Sequence, residues 1–233
     1  MPEAQKNVMR DTPWGQMTYL EYKKKIEFGK EEYDYIDAYC KEKPIAWTAS
    51  PWDIPSLEFL LEYDLPFLKI ASASNANEDL LKKACESKKT LIVSTGMSTW
   101  EELDKTVSFL ERYSEGNYIL MHTNSAYPAP ASELNLRMIT ALKKRYNCIV
   151  GYSGHEIDLE PSVVAVSLGA KVIERHVTLD HNMWGTDQAA SLSVAAMAML
   201  HGRMKEILTM LGDGEKVITE REKEVRKKLR GDK

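Results

Sequence analysis

Two histidines, His155 and His176, each follow a short apolar run and stand among further polar residues, the first in GYSGHE and the second in IERHVTLD. Neutral imidazoles that converge from neighbouring strand ends form a half-shell for a divalent metal ion. Residues 161–169 between them read as a helix, so the order is strand, helix, strand, with one histidine at the C-terminal end of each strand. In a parallel α/β barrel those ends share one face, and catalytic residues sit there. Ser153 and His155 are two positions apart, so an extended strand points both to one side. Taken singly, either histidine is more often a satisfied polar residue beside a strand than a ligand. Their equivalent placement on consecutive strands is what favours the ion.

Other strand ends carry complementary chemistry. Lys69 lies inside the apolar run FLKIA, which gives way to Ser72. A lysine in a buried strand is costly unless it meets an anion, although one at an edge can also snorkel to solvent. The run at 90–94 ends in Ser94-Thr95-Gly96, small residues whose backbone N–H groups suit a phosphate, or form a plain turn. The run at 118–123 ends in His122-Thr123-Asn124-Ser125 and leads to Tyr127-Pro128. Together these ends describe a pocket for a small, negatively charged, oxygen-rich ligand. His122 is kept outside the metal shell, and His181 and His201 read as surface or packing residues.

The elements that must position these residues alternate. Residues 1–15 read as a loop, 17–28 and 31–43 as helices, and 44–50 as a first strand. Strands at 67–71, 90–94, 118–123, 148–153 and 171–177 follow, separated by helices at 56–63, 78–86, 100–113, 134–146 and 161–169. A helix at 192–211 covers the last strand, and 212–233 is a mixed-charge, solvated tail. Alternation of this kind implies an α/β class with a parallel sheet. The expected fold is a (β/α)8 TIM barrel, here incomplete, with six βα units where a closed barrel has eight. A single TIM-barrel domain is expected over 1–233, with a loop and helix at 1–30, barrel units at 44–211 and a polar tail at 212–233.

Composition narrows the functional class. Net charge is −4, which gives no electrostatic footprint for nucleic acid. Hydrophobic residues make up 43% and charged residues 28%, enough for an ordinary buried core. Cys40, Cys85 and Cys148 are odd in number and lack CxxC spacing, which argues against a disulfide framework and fits a reducing compartment. No apolar stretch reaches the roughly 18 residues of a membrane helix, and residues 1–14 are too polar for a signal peptide. The expectation is a cytoplasmic protein with neither membrane nor nucleic acid as partner.

The motifs FLKIASAS, IVSTGMST, MHTNSAYP, GYSGHE and ERHVTLD through DQAASL, in this order over residues 5–228, resemble the sialic acid synthase family. That family includes N-acetylneuraminate synthase and its legionaminic and pseudaminic acid relatives. The resemblance implies a TIM barrel that condenses phosphoenolpyruvate with an N-acetylated amino sugar such as N-acetylmannosamine, a C–C bond-forming transfer that yields a nonulosonic (sialic) acid and phosphate. It also implies catalytic roles for His155, His176 and Lys69, with the two histidines holding Mn²⁺ or Mg²⁺. Lys69, Ser72, Ser94 and Ser153 match positions that hold the carboxylate and phosphate of phosphoenolpyruvate. Ser125 falls beside that anion, while Tyr127 and Asp187 match sugar-side positions. The implied ion polarises the sugar aldehyde, the enol carbon attacks, water adds and phosphate leaves. A homodimer is implied as well.

The family's first two strands, with a glutamate and a second lysine, and its C-terminal antifreeze-like domain have no counterpart here. The open barrel is therefore expected to be closed by a neighbouring chain, or to be a fragment of reduced stability with a binding or assembly role.

Overall fold

The computed structural model describes residues 3–231; residues 1, 2, 232 and 233, at the outer ends of the expected N-terminal loop and polar tail, lie outside the described residues. Helix α1 (Glu3–Lys6) leads into an antiparallel hairpin, β1 (Met9–Thr12) and β2 (Gly15–Thr18), followed by α2 (Tyr19–Ile26) and α3 (Lys30–Glu42). Then come α4 (Ile54–Leu60), β3 (Phe67–Ile70), α5 (Glu78–Glu86), β4 (Thr90–Ser94), α6 (Trp100–Tyr113) and β5 (Tyr118–Thr123). The order continues with α7 (Met138–Tyr146), β6 (Ile149–Gly154), α8 (Glu160–Ser167) and β7 (Ile173–Arg175). A short parallel pair, β8 (Val177–Thr178) and β9 (Leu192–Ser193), precedes α9 (Val194–Leu211) and α10 (Glu220–Arg230).

Strands β3 to β7 form one parallel sheet in sequence order, a curled half-barrel. Two of the intervening helices, α5 and α6, start where a short polar side chain satisfies free N–H groups. Asn77 caps α5, and Thr99 with Glu102 makes a reciprocal capping box on α6. Asn147 ends α7 in the left-handed region, φ 49°, a conformation that asparagine tolerates better than most residues.

The strands alternate strictly between two faces. Leu68, Ile70, Leu91, Val93, Tyr118, Leu120, Val150 and Tyr152 point to the helices and join Leu80, Leu81, Leu103, Leu110, Ile139 and Leu142 in the core. Each such leucine contributes about 1.5–3 kcal/mol of apolar burial. The intervening positions, Lys69, Ser94, Ser153 and Glu174 among them, face the other side. Both faces are covered in the centre, so β4 to β6 are buried along nearly their whole length.

Four expectations need correction. Residues 45–50 form no strand. The Thr48 hydroxyl donates to the Phe67 carbonyl at 3.0 Å, so a side chain takes a backbone acceptor on β3 that a neighbouring ladder would use. The parallel sheet thus has five strands, not six, and β3 and β7 each pair on one side only among the described residues. Second, residues 1–15 are not wholly loop. A hairpin forms at Thr12–Gly15, where Gly15 adopts φ +96° and Thr12 Oγ1 donates to the Gly15 carbonyl at 2.7 Å. Third, the last parallel strand stops at Arg175, and the chain turns at His176 to pair Val177–Thr178 with Leu192–Ser193. Fourth, the flanking helices begin later, at Met138 and Val194. The tail is solvated as expected but carries α10, whose residues are all exposed. No helix among the described residues is long and apolar enough to cross a membrane.

Candidate active site

The C-terminal ends of the strands bring the sequence-predicted residues together in two adjoining groups. In the first, Lys69 Nζ from β3 donates to Ser94 Oγ on β4 at 2.8 Å and lies 3.5 Å from Glu174 Oε2 on β7. Ser153 Oγ on β6 donates to the other oxygen of Glu174 at 2.9 Å. Four strands are therefore joined by one polar chain across the helix-free face of the sheet. Burial pushes the Lys69 ammonium below its usual pKa, opposed by the Glu174 carboxylate. The anion that the sequence demanded for this lysine is, within the chain, Glu174.

Ser72 and Ser125 close in from the loops. Ser72 Oγ accepts from the Gly96 N–H at 3.1 Å. A Cβ on Gly96 would lie 2.8 Å from Ser72 Oγ and closer still to Ser125 Oγ, so only glycine fits between the two hydroxyls. Asn75 is buried and holds the loop in place, donating to the Ser94 carbonyl at 2.9 Å and to Ser98 Oγ at 3.0 Å.

The second group is aromatic. The rings of His155 and His176 lie 5.2 Å apart, centroid to centroid, at 67°. Tyr127 stacks on His155 at 4.0 Å and meets His176 edge-on at 5.5 Å. His155 Nδ1–H donates to the Asn124 carbonyl, which fixes the tautomer and leaves Nε2 with its lone pair. Burial pushes the His155 pKa down, opposed by the hydrogen bond that the ring donates to the Asn124 carbonyl, and the neighbouring His176 lowers it further. Burial therefore favours the uncharged ring, the form in which an imidazole ligates a metal. Asp187 Oδ2 stands 3.7 Å from His176 Nδ1. The loop just before Asp187 lines, with the N-terminal hairpin and α2, a cavity of about 370 Å³ whose walls include Arg10, Tyr22, Trp184 and Thr186.

Among the described residues no cluster of three or more His, Cys, Asp or Glu side chains could hold a metal ion. The two imidazoles could supply two ligands to a divalent ion, one fewer than the three protein ligands of a typical catalytic zinc site, with the other positions left to water or substrate. His122, on the helix side of β5, donates its Nε2–H to the Leu134 carbonyl at 2.7 Å and stays out of this pair. His181 bonds the Ser191 carbonyl at 3.0 Å.

Sequence reasoning missed Glu174 and a buried ion pair, Glu156 with Arg175, behind the histidines. Glu174 had a signal available: it precedes His176 by two residues, as Ser153 precedes His155. The period of two puts the two earlier residues together on one face.

The NeuB family model matches residues 1–216. This chain belongs to the NeuB family. It is 42% identical over 183 residues to N-acetylneuraminate-9-phosphate synthase of Drosophila melanogaster, covering 78% of this chain and 49% of that protein. It is 35% identical to N,N'-diacetyllegionaminic acid synthase of Campylobacter jejuni, covering 90% and 65%. The fold matches the crystal structure of the N-acetylneuraminic acid synthetase of Leptospira borgpetersenii in complex with citrate, with a TM-score of 0.81 at 33% identity over 88% of this chain and 73% of that one. The chain spans about half the length of the first curated relatives it matches. The five-strand sheet is thus the shared, TIM-barrel-like part of the NeuB fold.

Proposed function

We propose that this chain takes part in condensing phosphoenolpyruvate with an N-acetylated amino sugar, N-acetylmannosamine or a close relative, to give a nonulosonic acid and inorganic phosphate. The observation that carries this reading is the pairing of two converging histidine rings, His155 with its tautomer fixed, with a buried lysine–serine cluster on adjoining strand ends. The names of its NeuB relatives support it.

In this reading Lys69, Ser72, Ser94, Ser125 and Ser153 hold the carboxylate and phosphate of phosphoenolpyruvate. Their donors already converge, so little reorganisation is needed when the anion arrives. An arriving anion would draw Lys69 away from Glu174. The carboxylate is thereby freed to accept from a sugar hydroxyl or from the attacking water. Tyr127 and Asp187 line the sugar side, and the stacked Tyr127 ring keeps water from the His155 face. A divalent ion, Mn²⁺ or Mg²⁺, held by His155 and His176 would supply Lewis-acid polarisation of the sugar aldehyde. The C3 enol carbon of phosphoenolpyruvate bonds to the aldehyde carbon, water adds at C2, and the C2–O bond to phosphate breaks as phosphate leaves. The three free cysteines fit a reducing, cytoplasmic setting, and we take residues 1–233 as one domain of a homodimer.

The open flanks at β3 and β7 favour a second reading, a barrel piece with a binding or assembly role. Phosphate release from phosphoenolpyruvate, measured with Mn²⁺ and N-acetylmannosamine present, separates the two. Release that requires both the sugar and the ion supports the synthase reading, and no release with any sugar of a panel that includes the legionaminic and pseudaminic acid precursors rejects it for this chain. The panel also names the sugar.

A further inference from the structure

We infer that the buried Glu156–Arg175 pair is a positioning clamp that fixes the separation of His155 and His176, and with it their joint affinity for a divalent ion. This rests on the proposed reading of the two histidines. Glu156 directly follows His155 and Arg175 directly precedes His176, so the pair bridges the ends of β6 and β7 one residue away from each ring. Arg175 Nη1 lies 3.0 Å from Glu156 Oε1, with side-chain exposures of 0% and 4%. The same Nη1 donates to Ser162 Oγ and to the Asp158 carbonyl, each at 3.0 Å, and Nη2 donates to the Glu156 carbonyl. Tyr152 OH donates to Glu156 Oε2 at 2.8 Å. Side chains from β6, α8 and β7 and the loop after β6 thus meet at one carboxylate and one guanidinium, on the helix side of the sheet and directly behind the site.

Two observations argue that this network serves geometry rather than stability. Arg175 Nε is buried with no hydrogen-bond partner, the one such side-chain atom among the described residues. A buried ion pair seldom outperforms apolar side chains of similar volume, and one with an orphaned N–H does worse. What the pair supplies is directional: several fixed bonds between two strand ends. That is where the fold needs them, because β7 is three residues long and pairs only with β6 in the sheet. Beyond β7 the backbone of His176 is tied only by its carbonyl, which accepts from the Leu192 N–H at 2.8 Å, and by the two-residue β8–β9 pair, so the clamp is what ties it back to the end of β6. Gly154 is part of the device, since a Cβ there would lie 2.7 Å from both carboxylate oxygens of Glu156.

The test titrates Mn²⁺ into the full chain by calorimetry, for the wild type, for the double variant Glu156→Leu/Arg175→Met, and for Arg175→Lys. Thermal unfolding of each is recorded alongside. The clamp predicts that the double variant keeps its melting temperature within a few degrees but binds Mn²⁺ roughly 10–100-fold more weakly, the usual effect of removing partners behind a ligand shell. Nuclear magnetic resonance with diamagnetic Zn²⁺ in place of Mn²⁺ should show ring-nitrogen shifts on both imidazoles in the wild type and on one in the variant. Wild-type Mn²⁺ affinity in the double variant would overturn the clamp. If the double variant does not fold, Arg175→Lys, which keeps the charge but not the fork of donors, must still lose several-fold in affinity, and unchanged binding there overturns it equally. Failure of the wild type itself to bind Mn²⁺ would instead remove the metal reading on which the clamp rests.

Discussion

Residues 3–50 contain not one buried residue, whereas all but three residues of β4, β5 and β6 are buried. The two regions are held by different physics. The N-terminal region is built from local interactions: the capping box of Thr18 with Glu21, the i,i+4 pairs Lys30–Asp34 and Lys41–Asp37, and a hairpin of polar strands. Its attachment to the rest runs mainly through one aromatic cluster, in which Tyr33 meets Trp47, Phe59 and Tyr63 at 5.2–6.2 Å. The sheet is built from pairings between residues about 20 to 30 apart, with hydrophobic burial on the helix face. Side chains are held to fixed positions where that second kind of order prevails, and the candidate chemistry is found there.

Four measurements would break or sharpen the contrast, from the largest effect to the smallest. His155→Ala or His176→Ala should abolish Mn²⁺-dependent phosphate release while leaving the circular dichroism and melting profile close to wild type. Full metal-dependent rate in either variant would remove the pair from the site. Leu120→Ala, in the centre of the sheet, should cost about 2–5 kcal/mol by denaturant titration, since it opens a cavity that surrounding strands cannot close. A loss below 1 kcal/mol would mean the core is much looser than its burial implies. Lys69→Ala should raise the phosphoenolpyruvate concentration needed for half-maximal rate at least tenfold more than that of the sugar, because one charge-assisted contact to the anion is lost. An equal effect on both substrates would count against its anion role. Leu229→Ser, on the exposed face of α10, should shift stability by no more than about 0.5 kcal/mol. A larger loss would show that a partner or another part of the chain covers α10.

The same division explains what could be read from the sequence. The run TLIVS and the segment from Trp100 to Tyr113 announce a strand and a helix by pattern and capping, and both are found with those bounds. The hairpin at Met9–Thr12 and Gly15–Thr18 is invisible to such reasoning, because its strands are polar and short and only the turn sets them. Residues 45–50 have the composition of a strand but no neighbour to pair with beyond β3. Whether a candidate strand is one depends on what lies beside it, which no single segment can state. In the site, the placement of the histidine couple, the lysine and the serines was legible because polar residues recur at the ends of successive apolar runs, which a parallel sheet brings to one rim. Glu174 and the Glu156–Arg175 pair were not, since charged residues next to histidines are commonplace and only the alternation of faces separates their roles.

The hydroxyl of Thr48 resting on the Phe67 carbonyl has a further meaning for how copies of this protein behave in solution. It acts as a stopper on an otherwise inviting rail: a visiting chain that tried to extend the sheet at β3 would first have to displace it. The rail is thus closed at one rung by a side chain of the same protein.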